Sequence, residues 1–421
     1  MSEKKKILVL SDHPMAPSGV GTQTKYFIEA LLATGRYKFV CLGGAVKHND
    51  YHPQKVDGYG DDWVIHPTDG YGNPQIVRSA LAMEKPDLVW FMTDPRFYGW
   101  LWDMENEVRS VAPMLYYHVW DNFPPPMFNR PFYLSTDVIA TISKVTRDAV
   151  SVVAPEVENV YLPHAVDSNI FRKIDEKEIE QFAIEHYPEH YRKERTVFFW
   201  NNRNARRKQS GSVLWWFNEF AEEVGPENVQ LIMHTDPHDQ HGQNLETLIN
   251  DIGADDGRII LSTQKIPPEI LSMMYNLADC TVNISDAEGF GLATLESLSC
   301  ETPIIVNMTG GLQEQVTDGK QWFGIGIEPS SKSLIGSQQV PYIYEDRISK
   351  EDFINSLRIF YNMPEQERKR IGKLGREHVE KNYNFDNFNK QWVELVDRVI
   401  EERGSYESRK KYDRWEFKEI A

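Results

Sequence analysis

Cysteine is scarce. The chain has three in 421 residues, Cys41, Cys280 and Cys300, far apart in sequence. They form no metal-ligand spacing and no even disulfide set, so a reducing compartment is expected. Long apolar runs are missing too. The start, "MSEKKKILVLSDHP", places only four apolar residues after its charges, too few for a signal peptide or a membrane span, and no other stretch reaches membrane length. The expectation is a soluble, cytoplasmic protein with no integral membrane segment. Positive charge is in deficit, with 46 Lys and Arg against 63 Asp and Glu and a net charge of -17. That argues against a broad phosphate-binding surface for DNA or RNA and leaves room for a local basic cleft. Aromatic residues, by contrast, make up 12% of the chain, with 11 Trp, and 41% is hydrophobic. Such a chain can build real cores, so disorder is excluded as a class, and its length suggests about two or three domains.

The apolar runs are short and regularly spaced. "KKILVLSD" (5–12) suits a buried parallel strand, and "SGVGTQTKYFIEALLATG" (18–35) a glycine loop opening an amphipathic helix that stops at Gly35. "YKFVCLGG", "PDLVWFMTD", "PMLYYHVWD", "DVIATIS" and "VENVYLPHAVD" continue the strand series. A second series starts at "RTVFFWNN" (195–202) and runs through "VQLIMHTD", "GRIILSTQ", "ADCTVNIS" and "TPIIVNMTGG" (302–311), each strand separated by helical sequence. This predicts two doubly wound α/β units facing across a cleft at their carboxyl strand ends. The boundaries expected are 1–168, 169–395 and a helical tail at 396–421. The repeated DGYG at 57–60 and 69–72 looks like turn chemistry in a long loop, with Asp61 and Asp62 solvated there.

"SDAEGFGLATLES" (285–297) holds two glutamates with seven residues between them. Gly289 and Gly291 let the backbone turn sharply and approach a ligand. The helix that follows offers unpaired N–H groups and a partial positive charge, which suits a diphosphate. Carboxylates would repel that phosphate but accept hydrogen bonds from sugar hydroxyls. Glu288 in the loop could hold hydroxyls on one side of the phosphates, and Glu296, one or two turns into the helix, a ribose on the other. The bland alternative is a surface Glu followed by an ordinary helical Glu.

"EGFGLATLESLSCETPIIVNMTGGLQE" resembles the E-x7-E segment of retaining glycosyltransferases of family 4 (glycosyl transferases group 1), which have the GT-B fold of two Rossmann-like domains. "VFFWNNRNARRKQSG" resembles that family's strand-then-GR…K loop, with Arg203 and Lys208 at the right separation and Asn202 where Gly is usual. "LPHAVDSNIF" is similar to the interdomain hinge, and "SGVGTQTKYFIEAL" to the glycine loop after the first strand.

The resemblance implies sugar transfer from a nucleotide-diphosphate donor, a UDP-sugar favoured, to an acceptor hydroxyl. It also implies retention, a front-face mechanism and closure of the two domains over the donor, with the tail helix crossing back to the first domain. Arg203 and Lys208 are the cations that would stabilise the departing diphosphate in place of a metal; their alternative is a basic loop in an acidic protein. His118, in "YYHVWD", would reach the cleft and orient sugar hydroxyls, and Asp121 would touch the acceptor. A lone His is otherwise a satisfied core residue. Gly19 and Gly21 would bring backbone N–H groups to the diphosphate. Gln264 to Ile266 would meet the nucleobase, and Gly289, Phe290 and Gly291 would line the donor site. No metal site is expected: Pro237 and Gly242 put His234, His238 and His241 on a loop rather than one helical face. Long aromatic loops in the first half favour a carbohydrate or lipid-linked acceptor. Modified DNA bases rank below it. Two rivals are a sugar-nucleotide hydrolase or epimerase on the same plan, and a non-catalytic nucleotide-sugar-binding subunit.

Overall fold

A computed structural model of the protein describes residues 3–406 and 408–413. Residues 414–421, the end of the tail for which the sequence suggests helix, lie outside the described residues, as do Met1 and Ser2. The chain divides into two units. One takes the chain up to Ala165, Gly336–Tyr342 and the chain from Asp386 on; the other takes Val166–Ile335 and Ile343–Phe385.

The first unit is built on an eight-stranded sheet. Its strands are β1 (Lys5–Asp12), β2 (Tyr37–Gly44), β3 (Gln54–Lys55), β4 (Trp63–Pro67), β5 (Leu88–Thr93), β6 (Met114–His118), β7 (Val138–Thr141) and β8 (Glu158–Tyr161). Their order is β3-β4-β2-β1-β5-β6-β7-β8, and every pair is parallel except β3 with β4. Ile7–Leu10, Leu88–Met92 and Met114–Tyr117 are buried along their whole length. Helices cover both faces of such strands, so the sequence shows continuous apolar runs rather than alternation. β3 and β4 fall inside the stretch read from sequence as one long loop. β4 is five residues with alternating burial, too short a signal beside two flanking DGYG turns. Asp62 pairs there with Lys4 at 2.5 Å and Asp61 with Lys55 at 2.7 Å.

From Asp386 on, the helix Phe385–Arg403 packs on this sheet. Trp392 is fully buried, edge-on to Phe27 (4.8 Å) and Tyr117 (4.8 Å), and Phe27 stacks on Trp90 at 4.3 Å. Arg36 forks onto Asp397 at 2.6 and 2.9 Å.

The second unit carries a six-stranded, wholly parallel sheet. Its strands are β9 (Thr196–Asn201), β10 (Val229–His234), β11 (Ile259–Ser262), β12 (Cys280–Asn283), β13 (Ile304–Asn307) and β14 (Gly324–Ile327), in the order β11-β10-β9-β12-β13-β14. Phe198, Trp200, Phe217, Phe220, Met233 and Phe360 form its aromatic-rich core. A small antiparallel hairpin, β15 (Ser331–Ile335) with β16 (Ile343–Arg347), was not foreseen from sequence.

Both sheets are doubly wound. The strand order reverses between β1 and β5 in one and between β9 and β12 in the other. In open α/β sheets, ligands bind outside the carboxyl ends of the strands at such switch points. The doubly wound α/β class expected from the sequence is the one observed.

Candidate functional site

β9 and β12 are neighbours, with Phe199 opposite Thr281. The loops leaving their carboxyl ends, 202–209 and 284–291, therefore emerge side by side at the switch point. The first loop is anchored by Asn204, which is fully buried. Its Nδ2 donates to the Gln243 carbonyl (2.7 Å), and Ser210 Oγ donates to its Oδ1 (2.6 Å). The two loops are then joined to each other. The Asp286 amide donates to the Arg207 carbonyl (2.8 Å), Arg207 Nη1 donates to the Ala287 carbonyl (2.6 Å), and Gln209 Nε2 donates to Asp286 Oδ2 (2.7 Å).

This joining sets Lys208 Nζ on Glu288 Oε2, a pair with both side chains largely buried. Arg207 Nη1 lies 3.9 Å from the same carboxylate oxygen. Burial pushes the Glu288 carboxyl up, but the Lys208 ammonium and the Arg207 guanidinium outweigh it and hold it below its usual range. Asp286 goes the other way. Burial raises it to about 6, and the Gln209 hydrogen bond offsets only part of that.

The Gly-Phe-Gly bend follows. Gly291 has φ 95°, open to glycine but costly for other residues, and stands at the N-terminus of the helix Leu292–Ser299. Among the described residues, no side chain caps that helix start. The Gly311 amide donates to the Glu288 carbonyl (3.0 Å), and a Cβ on Gly311 would lie 2.6 Å from Phe290 Cα, so only glycine permits this approach. The Phe290 ring turns inward and packs edge-on to Tyr383 at 5.7 Å, leaving its main chain at the bend. Four residues into the helix, half-buried Glu296 accepts a hydrogen bond from the Tyr275 hydroxyl (2.8 Å), which in turn accepts from Asn201 Nδ2 (2.8 Å). Burial raises the Glu296 carboxyl to about 7, against the lowering effect of Tyr275.

Arg203 is less enclosed than Lys208, its side chain 60% exposed. Its guanidinium forks onto Asp239 (2.5 and 3.2 Å) and lies 2.7 Å from His241 Nδ1. Gln264 and Ile266 lie in the loop between β11 and the helix Pro268–Leu277, Gln264 exposed. The Pro-Pro pair beside them is that helix's start, with Pro267 at its cap position. Of the three histidines, His234 Nδ1 lies 2.9 Å from Ser262 Oγ, and His238 and His241 pair with Glu246 and Asp239. Among the described residues, no group of three or more His, Cys, Asp or Glu is placed to hold a metal ion.

In the first unit, two of the expected site residues are engaged within the fold. His118 is fully buried at the end of β6, with Nδ1 3.1 Å from the Tyr116 hydroxyl and Nε2 2.7 Å from the Tyr133 hydroxyl. Burial lowers its pKa to about 3, so the ring stays neutral, and both nitrogens have partners within the fold. The Gly21 amide is likewise engaged. It donates to Ser18 Oγ (3.0 Å), the cap of the helix Gly19–Leu32, and a Cβ there would lie 2.8 Å from the His13 and Ala16 carbonyls. Gly21 is therefore a packing glycine. Gly19 is exposed at the first helical position, and Asp121 is half-buried beyond β6.

Sequence reasoning missed Arg207 and Asp286, although both lie inside motifs it quoted. It also missed Asn201 and Tyr275, which support Glu296 from elements 95 and 21 residues away in the chain and leave no local signal.

Residues 239–378, which include Glu288 and Glu296, match the family described as Glycosyl transferases group 1. The GDP-mannose-dependent alpha-(1-6)-phosphatidylinositol monomannoside mannosyltransferase of Mycolicibacterium smegmatis is 24% identical over 75% of this chain and 83% of its own length. The D-inositol 3-phosphate glycosyltransferase of Acidothermus cellulolyticus is 36% identical over 78 residues, 18% of this chain; that match spans only 17% of the relative's length. Among solved structures, sucrose-phosphate synthase of Thermosynechococcus elongatus superposes with a TM-score of 0.73 at 17% identity, over 94% of this chain and 100% of that one. Anabaena HepE in complex with UDP and glucose gives a TM-score of 0.67 at 14% identity, over 94% and 100%. Among the described residues no helix is long and apolar enough to cross a membrane. The fold is GT-B, and residues 239–378 of the chain match the glycosyl transferases group 1.

Proposed function

We propose that this chain transfers a sugar from a nucleoside-diphosphate sugar to an acceptor hydroxyl, with retention and without a catalytic metal. The observation that carries the reading is the joining of loops 202–209 and 284–291 at a switch point. It places Lys208 and Arg207 beside Glu288, next to a helix start that no side chain caps. Breaking the anomeric C–O bond builds negative charge on the diphosphate. Fixed cations and helix-end amides facing that oxygen stabilise it in a way free solvent cannot. Lys208 and Arg207 would take the phosphates, with Arg203 at the rim. Glu288 would accept from the sugar hydroxyls and Glu296 from the ribose.

Anabaena HepE has been solved with UDP-glucose, which supports a UDP-sugar as donor. Relatives named for D-inositol 3-phosphate and phosphatidylinositol monomannoside favour a polyhydroxylated glycan or glycolipid acceptor. We place the reaction in the cytoplasm, where sugar nucleotides are at hand.

The test is a melting panel of UDP-, GDP- and ADP-sugars. A ligand at about 100 times its Kd adds roughly 2.7 kcal/mol to the folded state, so the true donor class is expected to raise Tm by about 3 °C. A panel in which no sugar nucleotide moves the melt would sink the reading.

A further inference from the structure

Two buried acids reach these loops from outside any motif. Glu345 and Asp346, on β16, are 1% and 2% exposed. Glu345 receives the Arg206 guanidinium on both oxygens (Nη1 to Oε2, 3.1 Å) and Arg347 Nη2 at 2.7 Å. Asp346 works through its main chain. Its amide donates to the Asp286 carbonyl (2.8 Å), and its carbonyl accepts from Asn307 Nδ2 (2.6 Å), which also donates to the Ser285 carbonyl (2.8 Å). Thr309 Oγ1 donates to Asp346 Oδ2 (2.8 Å). One strand end thus fastens the loop after β9 by a side chain and the loop after β12 by its backbone.

The spacing makes this fastening matter. Arg206 precedes Lys208 by two residues, and Asp286 precedes Glu288 by two. A buried carboxylate is tolerated only when paired, so Glu345 cannot relax away from its arginines without cost. Neither acid is exposed enough to meet a ligand. Any effect passes through Arg206 and Asp286 into the Lys208–Glu288 pair, and small displacements of such groups are known to cost rate and affinity steeply.

We propose that Glu345 is a positioning residue of the donor site, fixing Arg206 so that Lys208 meets the diphosphate of the sugar nucleotide in one geometry. This rests on reading the two loops as the donor site. Calorimetric titration with UDP, GDP and ADP, well below the melting temperature of every variant, tests both statements separately. For whichever diphosphate the unaltered protein binds, Glu345→Gln is expected to weaken affinity about tenfold. Glu345→Asp, which keeps the charge, is expected to recover most of the loss. The double variant Arg206→Ala/Glu345→Gln is expected to be no weaker than Arg206→Ala, because both changes remove one contact. The positioning role is overturned if Glu345→Gln binds within twofold of the unaltered protein, or if the two single losses multiply in the double variant. Failure of the unaltered protein to bind any of the three would instead overturn the donor-site reading, and the proposal with it.

Discussion

Lys208→Ala is expected to lower donor-dependent turnover by about 10²- to 10³-fold, the usual loss when one fixed stabiliser of developing charge is removed. The ammonium is the most enclosed of the basic groups in its loop, and it lies directly on Glu288. Its removal acts twice. On the proposed reading the leaving diphosphate would lose a cation, and Glu288 loses the stronger of the two charges that hold its pKa down. The Glu288 carboxyl then rises under burial, so the acid limb of the pH–activity profile is expected to move to higher pH in the variant.

The same chemistry predicts a stability cost. Glu288 is a depressed acid, so its stabilising contribution is present above the unfolded carboxylate range and lost as pH falls through the folded value. Breaking a buried pair by removing one partner typically costs about 3–5 kcal/mol. A melt must therefore accompany the kinetics, and turnover must be measured well below the variant's Tm. Lys208→Ala/Glu288→Gln is the control: if the two residues stabilise the fold mainly through each other, the double variant melts above Lys208→Ala. Turnover within threefold of the unaltered protein in Lys208→Ala would remove Lys208 from the chemistry.

The parts of this site that were legible from sequence are those encoded locally. Gly291 needs a left-handed backbone, the apolar runs of β9 and β12 mark buried parallel strands, and the acid pair sits at a strand-to-helix bend, each readable from one short stretch of chain. His118 shows the limit. A histidine at the end of an apolar run looks the same in sequence whether it faces a ligand or two tyrosine hydroxyls, and Tyr133 lies 15 residues away on another element. Gly21 is alike, because the cap that takes its amide depends on the rotamer of Ser18. Glu345 lies furthest from view. Its partner Arg206 is 139 residues distant, and the short hairpin that carries it has neither a long alternating pattern nor a motif.

Glu296 carries the second large expectation, and its sign reverses between stability and binding. Its folded pKa of about 7 stands above the ordinary carboxylate value. Between those two values the native state holds a proton that the unfolded chain has lost. Stability from this group is therefore complete at low pH and declines as pH rises through about 7. Glu296→Gln removes the penalty, so at pH 8 the variant is expected to melt above the unaltered protein, with the gap closing towards pH 5. Binding runs the opposite way. Only the ionised carboxylate offers ribose two acceptors, and hydrogen bonds to a charged group are worth about 1.5–3 kcal/mol, so the variant is expected to lose roughly 10- to 100-fold in sugar-nucleotide affinity at pH 8. In the unaltered protein, affinity should fall as pH drops below 7, while in Glu296→Gln it should stay flat. A nucleoside-diphosphate sugar is the right probe, since its bridging phosphates do not titrate in that range. Tyr275 donates to the carboxylate and lowers its pKa, so Tyr275→Phe is expected to move the inflection to higher pH. A pH-independent affinity in the unaltered protein would show that ribose is held elsewhere. A site that is costly to ionise when empty and useful only when ionised stores free energy that ligand hydroxyls release, and melting and affinity curves across pH 5 to 8 measure both halves of that exchange.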